Sequence, residues 1–132
     1  VLTFTSRCDI YYISHLDVFM RMQKEKNRMD ARIKKIYAPM TESSFYILLC
    51  LRVEMHGYSI VQKVEALTNG EIRLSPGTMY GSLSKMEKDG LIRFVREEEK
   101  RKNYVSTGLG EEVLELEMRR VERLYQNLME VR

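Results

Sequence analysis

The sequence predicts a mostly helical fold with one small β-hairpin, and three observations support this prediction. Apolar residues recur at helical spacing in several segments, Ser75–Gly90 carries the start and stop signals of a helix, and two β-branched and aromatic runs flank a charged loop after it. With 132 residues the chain is long enough for one modest core and an added helical arm. We expect an extension over residues 1–39, a compact domain over 40–107 and a terminal helix over 108–132.

The first segment is basic and precedes the compact domain. Residues 1–39 hold eight Lys or Arg against four Asp or Glu, whereas residues 40–132 hold fourteen against fifteen. Ile10–Ser14 is β-branched and aromatic, which favours a strand-like start, and His15–Ile36 has the pattern of a Met-rich helix. The apolar side of this helix comprises Leu16, Phe19, Met20 and Met29. Pro39 disfavours helix in the residue before it, so the segment ends there.

Two apolar helices follow the proline. Glu42–Val53 is apolar over much of its length, and Thr41 before it can serve as the N-cap. Cys50 in this run is expected to be a buried thiol. Gly57–Thr68 has apolar residues at helical spacing, namely Ile60, Val61, Val64 and Leu67. Asn69-Gly70 marks the end of this second helix.

The third helix has the strongest local signals. Ser75 is a good N-cap, Pro76 suits the first helical position, and Gly90 suits the left-handed residue beyond the end. Residues at steps of four and three are expected to face the core, namely Met79, Leu83 and Met86. The opposite side is then predicted to consist of Thr78, Gly81, Ser82 and Lys85.

A β-hairpin and a long amphipathic helix complete the chain. Ile92–Arg96 and Lys102–Ser106 are the predicted strands, and the charged loop Glu97–Arg101 joins them. Over Glu111–Val131, apolar residues alternate spacings of four and three, which is typical of a coiled-coil helix; they are Leu114, Met118, Val121, Tyr125 and Leu128. Three helices, a hairpin and a further helix are the order expected of a winged helix-turn-helix with an added helical arm.

The third helix also has the chemistry of a helix that reads DNA. Its N-terminus presents unpaired backbone N–H groups and the positive end of the helix dipole, so it can receive a phosphate, and Ser75 and Thr78 add hydroxyls. Small residues on the outward side would let the backbone approach base edges in a major groove. A well-made helix cap without any DNA contact explains Ser75-Pro76-Gly77 equally well.

Several short blocks of the sequence resemble a known family. His56–Ile60 is HGYSI, Pro76–Tyr80 is PGTMY, and Leu83–Ile92 has the pattern Leu-x-x-Met-Glu-x-x-Gly-Leu-Ile. These blocks and their spacing resemble the signature of the PadR family of bacterial winged-helix transcriptional regulators. Tyr104–Thr107 followed by Gly110 resembles the second wing strand and the entry to that family's C-terminal helix.

Over residues 40–132, the resemblance implies a homodimeric repressor of double-stranded operator DNA, with the third helix in the major groove and the hairpin as a wing on the flanking backbone or minor groove. The DNA-binding residues are then Tyr58, Ser75, Gly77, Thr78, Tyr80, Gly81, Ser82, Lys85, Arg96, Lys100, Arg101 and Lys102. The dimer contacts are expected from Leu114, Met118, Val121, Tyr125 and Leu128. Some members of the family sense small aromatic or cationic compounds at the dimer interface, so a small-molecule effector is a further implied partner. This chain has no tryptophan to stack such a ligand.

Two features depart from the family pattern, and three residues have a second interpretation. Ser106 stands where the family usually has an apolar strand residue, and Glu97–Glu99 at the wing tip should repel phosphate unless these side chains point away.

Tyr58 and Tyr80 fit phosphate contacts, and they equally fit tyrosines at the edge of the core with a solvent-exposed hydroxyl. His56 is expected to set the turn before the second helix rather than to bind a metal.

Other functional classes have less support in the sequence. The chain lacks a Gly-rich phosphate loop and a nucleophile motif and has only two histidines, so we expect no enzyme, cofactor or metal. A metal cluster of Cys8, Asp9, His15 and Asp17 has no standard ligand spacing. No apolar run approaches the roughly 20 residues of a membrane span, so we expect a cytoplasmic protein. The alternative function is a winged-helix module that binds protein instead of DNA, because a fold does not determine a function; Asp89 and the triple glutamate keep it open.

The extension itself carries little functional signal. Asp9–Asp17 resembles the start of a domain associated with radical-SAM proteins, but it is too short to carry an activity. We expect residues 1–39 to include a helix that packs on the dimer.

Overall fold

The computed structural model describes residues 7–132, apart from the side chain of Cys8, and it has the predicted mostly helical fold with a small antiparallel sheet. The chain divides into two units, one ending at Ile36 and one covering Tyr37–Arg132. The elements in chain order are α1 (Arg7–Ile36), α2 (Glu42–Cys50), β1 (Met55–His56), α3 (Gly57–Leu67), α4 (Pro76–Lys88), β2 (Ile92–Glu98), β3 (Arg101–Ser106) and α5 (Gly108–Val131). Among residues 7–132, none of the helices is both long and apolar enough to cross a bilayer.

The first unit contains α1, and here one prediction is wrong. Ile10–Ser14 lies inside α1 and is not a strand. Isoleucine and tyrosine are only a few tenths of a kcal/mol poorer in a helix than the best helix formers, so a long helical run to their C-terminal side can extend through them. A local contact also favours the helix, because the Tyr11 and His15 rings are four residues apart and their centroids lie 4.1 Å from each other.

The second unit begins at Tyr37, whereas the sequence predicts the boundary after residue 39. The difference has a tertiary cause. The Tyr37 hydroxyl donates to the Asp89 carboxylate at 2.7 Å, and the Tyr37 side chain is buried. Asp89 is the C-cap of α4, so this hydrogen bond ties the start of the unit to the end of α4. Burial and the bonded carboxylate together raise the pKa of Tyr37 well above its ordinary value of 10.0.

We expect Tyr37→Phe to lower the free energy of unfolding by about 1.5–3 kcal/mol near neutral pH, because it removes a hydrogen bond to a charged acceptor. The effect should depend on pH. Since the folded-state pKa is raised, the contribution of the hydroxyl is complete below pH 10.0 and is lost as the pH rises above it. Urea unfolding of both proteins at about pH 8 and about pH 11 tests this. A difference that grows at the higher pH would contradict the assignment.

Each helix of the second unit begins at a side-chain cap. The Thr41 and Ser75 hydroxyls accept from the backbone N–H groups of Ser44 and Thr78, each at 3.2 Å, as their residue types predict. His56 caps α3 through Nδ1, which accepts from the Ser59 N–H at 3.2 Å, and this confirms its predicted role in the turn. Thr107 caps α5, so this helix starts at Gly108, the first residue of the predicted terminal segment, three residues before the amphipathic pattern begins at Glu111.

The sheet has three antiparallel strands in the order β1-β3-β2. The hairpin is tighter than predicted, because the strands extend into Glu97–Arg101 and leave a turn of only Glu99 and Lys100. Both turn residues have positive φ, at 50° and 63°, as in the two-residue turns that match strand twist. Strand β1 was not predicted; its register pairs Met55 with Tyr104 and His56 with Asn103.

The core lies between α2, α3, α4, the start of α5 and the base of the hairpin. Its fully buried residues include Ile47, Leu48, Cys50, Leu51, Ile60, Val64, Met79, Met86, Leu91, Ile92 and Leu114. The burial of Cys50 and of the predicted α4 positions is therefore confirmed.

Leu114 of α5 is only 1% exposed within its own chain, so its predicted place in a dimer contact is wrong. Its neighbour Val113 is buried too, because the first turns of α5 pack in the core before the helix projects.

Candidate nucleic-acid interface

The exposed side of α4 carries two glycines that the fold itself does not require. Gly77 and Gly81 lie one turn apart, and Ser84 and Lys88 continue the same side of the helix. Among the described atoms of residues 7–132, a Cβ added to Gly77 or Gly81 would meet nothing within 4 Å, and neither residue has positive φ. Glycine inside a helix is less stable than alanine by roughly 0.5–1 kcal/mol. These glycines are therefore better explained by something that approaches α4 from outside.

The sequence predicts that Ser82 lies on this exposed side of α4, and this prediction is wrong. Ser82 is half-buried, whereas Ser84 is exposed. The reason is helical geometry: Ser82 follows Met79 by three residues and precedes Met86 by four, so it neighbours the two core methionines. The other residues predicted for this side, Thr78, Gly81 and Lys85, are exposed.

Lys85 lies on the outward side but is already engaged. Its ammonium is 3.5 Å from the Asp89 carboxylate and 4.5 Å above the centroid of the Tyr37 ring. An exposed pair of this kind contributes little to stability, but it keeps the lysine near the C-terminal end of α4.

A concave cleft of about 390 Å³ lies between α4, the start of α3 and the hairpin. It is rich in tyrosine and cationic side chains and is lined by His56, Gly57, Tyr58, Tyr80, Ser84, Lys100, Arg101, Lys102 and Tyr104. Tyr58 and Tyr80 are 54% and 60% exposed, so both hydroxyls can reach a ligand while the rings rest against the protein. We call this region the tyrosine cleft.

The Tyr58 ring contacts two neighbouring side chains, His56 and Arg101. The His56 ring is nearly parallel to it, with the centroids 6.5 Å apart and 15° between the planes. The guanidinium carbon of Arg101 lies 5.2 Å from the Tyr58 centroid, within cation–π range. Arg101 belongs to β3, so this contact joins the hairpin to α3. On the other wall, burial and the neighbouring Glu87 carboxylate raise the pKa of Tyr104.

Cationic residues stand opposite two of the three wing-tip glutamates. In the hairpin register, Glu97 is opposite Lys102 and Glu98 is opposite Arg101. Arg96 bridges two carboxylates, with Nε 2.9 Å from Glu54 and 3.1 Å from Glu98. Arg96 is therefore a poorer candidate for a phosphate contact than the sequence suggests, because its charge is already paired.

The far half of α5 is the second exposed surface. Beyond Arg120 every residue of the helix is exposed, and many of these are large and apolar: Val121, Leu124, Tyr125, Leu128, Met129 and Val131. Met118, at the edge of the core, is half-buried. The predicted pair of Glu115 and Arg119 is present at 3.3 Å on the polar side. We call the exposed apolar residues of α5 beyond Arg120 the α5 stripe.

The structure thus brings many of the predicted DNA-binding residues to one face and adds others. Tyr58, Tyr80 and Lys100–Lys102 line the tyrosine cleft. Ser75, Gly77 and Thr78 lie at the N-terminus of α4, where Pro76 lines a smaller pocket together with Tyr58 and Tyr80. Sequence reasoning missed Ser84, Lys88 and Tyr104. The first two follow Gly77 and Gly81 at helical spacing, so the glycines could have located them.

Comparison with known proteins identifies the fold and the family. A model of the transcriptional regulator PadR-like family matches residues 47–116. The chain belongs to this family. Its members are transcriptional regulators, which agrees with the prediction of a regulator rather than an enzyme. The match includes α3, α4 and the hairpin, the elements that form the tyrosine cleft.

Two curated relatives match part of the PadR-like chain. An uncharacterized 37.1 kDa protein in transposon Tn4556 of Streptomyces fradiae is 31% identical over 86 residues, which is 64% of this chain and 24% of that protein. The transcriptional regulator YqjI of Escherichia coli is 31% identical over 77 residues, which is 58% of this chain and 37% of that protein. The chain thus spans well under half the length of these relatives.

Solved PadR-like structures share the fold. A PadR family regulator from Clostridium difficile is 27% identical, with a TM-score of 0.54 over 68% of this chain and 96% of that one. Bacillus subtilis PadR in complex with operator DNA is 27% identical, with a TM-score of 0.50 over 58% of this chain and 46% of that one. A PadR-like regulator from Bacillus cereus, at 24% identity and a TM-score of 0.58, is similar in fold.

Proposed function

We propose that this PadR-like regulator binds double-stranded operator DNA with α4 in the major groove. The observation that carries the proposal is the exposed glycine side of α4 beside the tyrosine cleft. A major groove is wide enough for a helix, and a side without large side chains brings the backbone close to base edges. The similar Bacillus subtilis PadR was solved in complex with operator DNA, which supports the same class of ligand here.

The tyrosine cleft would hold the sugar-phosphate strand that separates the two grooves. With α4 in the major groove and the hairpin in the adjacent minor groove, that strand must pass between them. Lys100, Arg101 and Lys102 supply positive charge along this path, and the Tyr58 and Tyr80 hydroxyls can donate to phosphate oxygens. Such contacts give affinity and orientation without regard to sequence.

The regulator acts as a homodimer joined through the α5 stripe, and it represses transcription from an inverted-repeat operator. Two copies related by a two-fold axis would present two α4 helices about 34 Å apart, one turn of DNA. Exposed apolar side chains on a projecting helix support this assembly, since isolated apolar patches of this kind usually mark an interface. DNA binding also implies a cytoplasmic location.

The proposal predicts a distinct salt dependence for Lys102→Ala. Removal of one phosphate contact should weaken binding to all duplexes and reduce the slope of log affinity against log salt by about 0.9. Arg123→Ala, on the polar side of α5, is the matched control, because it removes one exposed charge away from the cleft. Fluorescence anisotropy with a selected operator, titrated at several salt concentrations, measures both.

Selection from random-sequence duplexes tests the proposal as a whole. We expect the wild type to enrich an inverted repeat with half-site centres about one helical turn apart. Failure to enrich any sequence, or equal slopes for Lys102→Ala and the wild type, would contradict this arrangement. Either result would favour a module that binds protein.

A further inference from the structure

The exposed side of α4 offers few side chains that could distinguish one base from another. Gly77 and Gly81 have no side chain. Thr78 lies in the first turn, where its hydroxyl accepts from Ser75 at 3.0 Å, and Lys85 lies toward the C-terminal end, 3.5 Å from the Asp89 carboxylate. Lys88 is the last residue of α4, farthest from the N-terminal end that carries the glycines. Ser84 remains as the exposed polar residue near the middle of this side.

Gly77 and Gly81 determine how closely the Ser84 hydroxyl can approach a base edge. It follows Gly81 by three residues and Gly77 by seven, so all three share one side of the helix. A serine hydroxyl is short, and it reaches a base edge only if the helix backbone comes close. The two glycines allow that approach, since the space that their Cβ atoms would occupy is open.

Ser84 also borders the groups that would fix the DNA in register. It lines the tyrosine cleft together with Tyr80 and Lys102. Ser84 therefore lies between the cleft, where the sugar-phosphate strand is proposed to run, and the glycine side, from which base edges would be reached. We propose that Ser84 contacts a base edge and sets the operator preference at one position of each half-site, an inference that rests on the proposed DNA binding.

The sharpest test is a change that imposes a new preference. Arginine is the most common side chain that bonds guanine in the major groove, through O6 and N7. We expect Ser84→Arg to shift the preference at one symmetric position to guanine by roughly 5- to 150-fold, which corresponds to 1–3 kcal/mol. Ser84→Ala should flatten the preference at that same position while other positions are kept. Selection from random duplexes, followed by sequencing, measures both.

Ser82→Arg is the comparison that separates the two serines. Ser82 is half-buried beside the core methionines, so an arginine there should not create the guanine preference. Circular dichroism and thermal unfolding establish that each variant is folded. The inference is overturned by any one of three results: Ser84→Arg leaves the preference unchanged, it strengthens binding to all sequences equally as a phosphate contact would, or Ser82→Arg produces the shift. A wild type that selects no sequence overturns the proposed function instead, so the two failures are distinguishable.

Discussion

The double change Val121→Glu and Leu128→Glu is expected to convert the protein into a monomer and to weaken operator binding by at least about 100-fold. The α5 helix of 24 residues is about 36 Å long, and its far half has no core of its own to cover. Each fully buried apolar side chain contributes roughly 1.5–3 kcal/mol. The dimer would lose two such side chains from each chain and would bury four carboxylates, so its dissociation constant should rise more than about 1,000-fold.

Operator affinity should fall with the dimer because two linked half-site contacts reinforce each other. Loss of one such link commonly weakens binding by about 10²- to 10⁴-fold. Sedimentation at micromolar concentration gives the oligomeric state, and anisotropy with the selected operator gives the affinity.

Gln126→Glu with Asn127→Glu is the matched control for the double change. It adds the same charge to the same helix at exposed polar positions outside the stripe. The control should remain dimeric. A wild type that sediments as a monomer, or a Val121 and Leu128 variant that stays dimeric, would show that the stripe does not join two copies.

The second large effect is expected from Gly110→Ala, which should destabilise the fold by roughly 3 kcal/mol or more. A Cβ at Gly110 would overlap the backbone carbonyl of Leu91, and backbone atoms cannot move aside as a flexible side chain can. That carbonyl also accepts a hydrogen bond from the Thr107 N–H at 2.9 Å, so a shift would disturb the start of α5. Urea unfolding followed by circular dichroism measures the loss.

Gly108→Ala is the control for this prediction, since it makes the same change two residues earlier in the same helix. Within the described part of the chain, a Cβ at Gly108 would have open space. We expect this variant to be neutral or more stable by up to about 1 kcal/mol, because alanine is the better helix former. Equal destabilisation by both variants would show that general helix effects, and not the Leu91 contact, govern this site.

The residues that the sequence located correctly are those whose signals are local. The cap at Ser75, the core positions of α4 and the extent of the hairpin strands to within a few residues all depend on neighbours within one or two turns. The coarse map of the interface, with Tyr58, Tyr80 and Lys100–Lys102 on one face, came from family resemblance.

The sequence by itself determined where α2, α3 and α4 begin, which side of α4 is buried and that α5 carries an apolar stripe, because caps and helical periodicity act over a few neighbouring residues. The contacts between residues that are distant in the sequence were determined only by the tertiary structure. It paired Arg96 with Glu54, added β1 to the sheet and placed Leu114 in the core. Those outcomes depend on contacts between distant segments, and no local pattern encodes them. The half-burial of Ser82 and the exposure of Ser84, by contrast, follow from their spacing to Met79 and Met86 within α4.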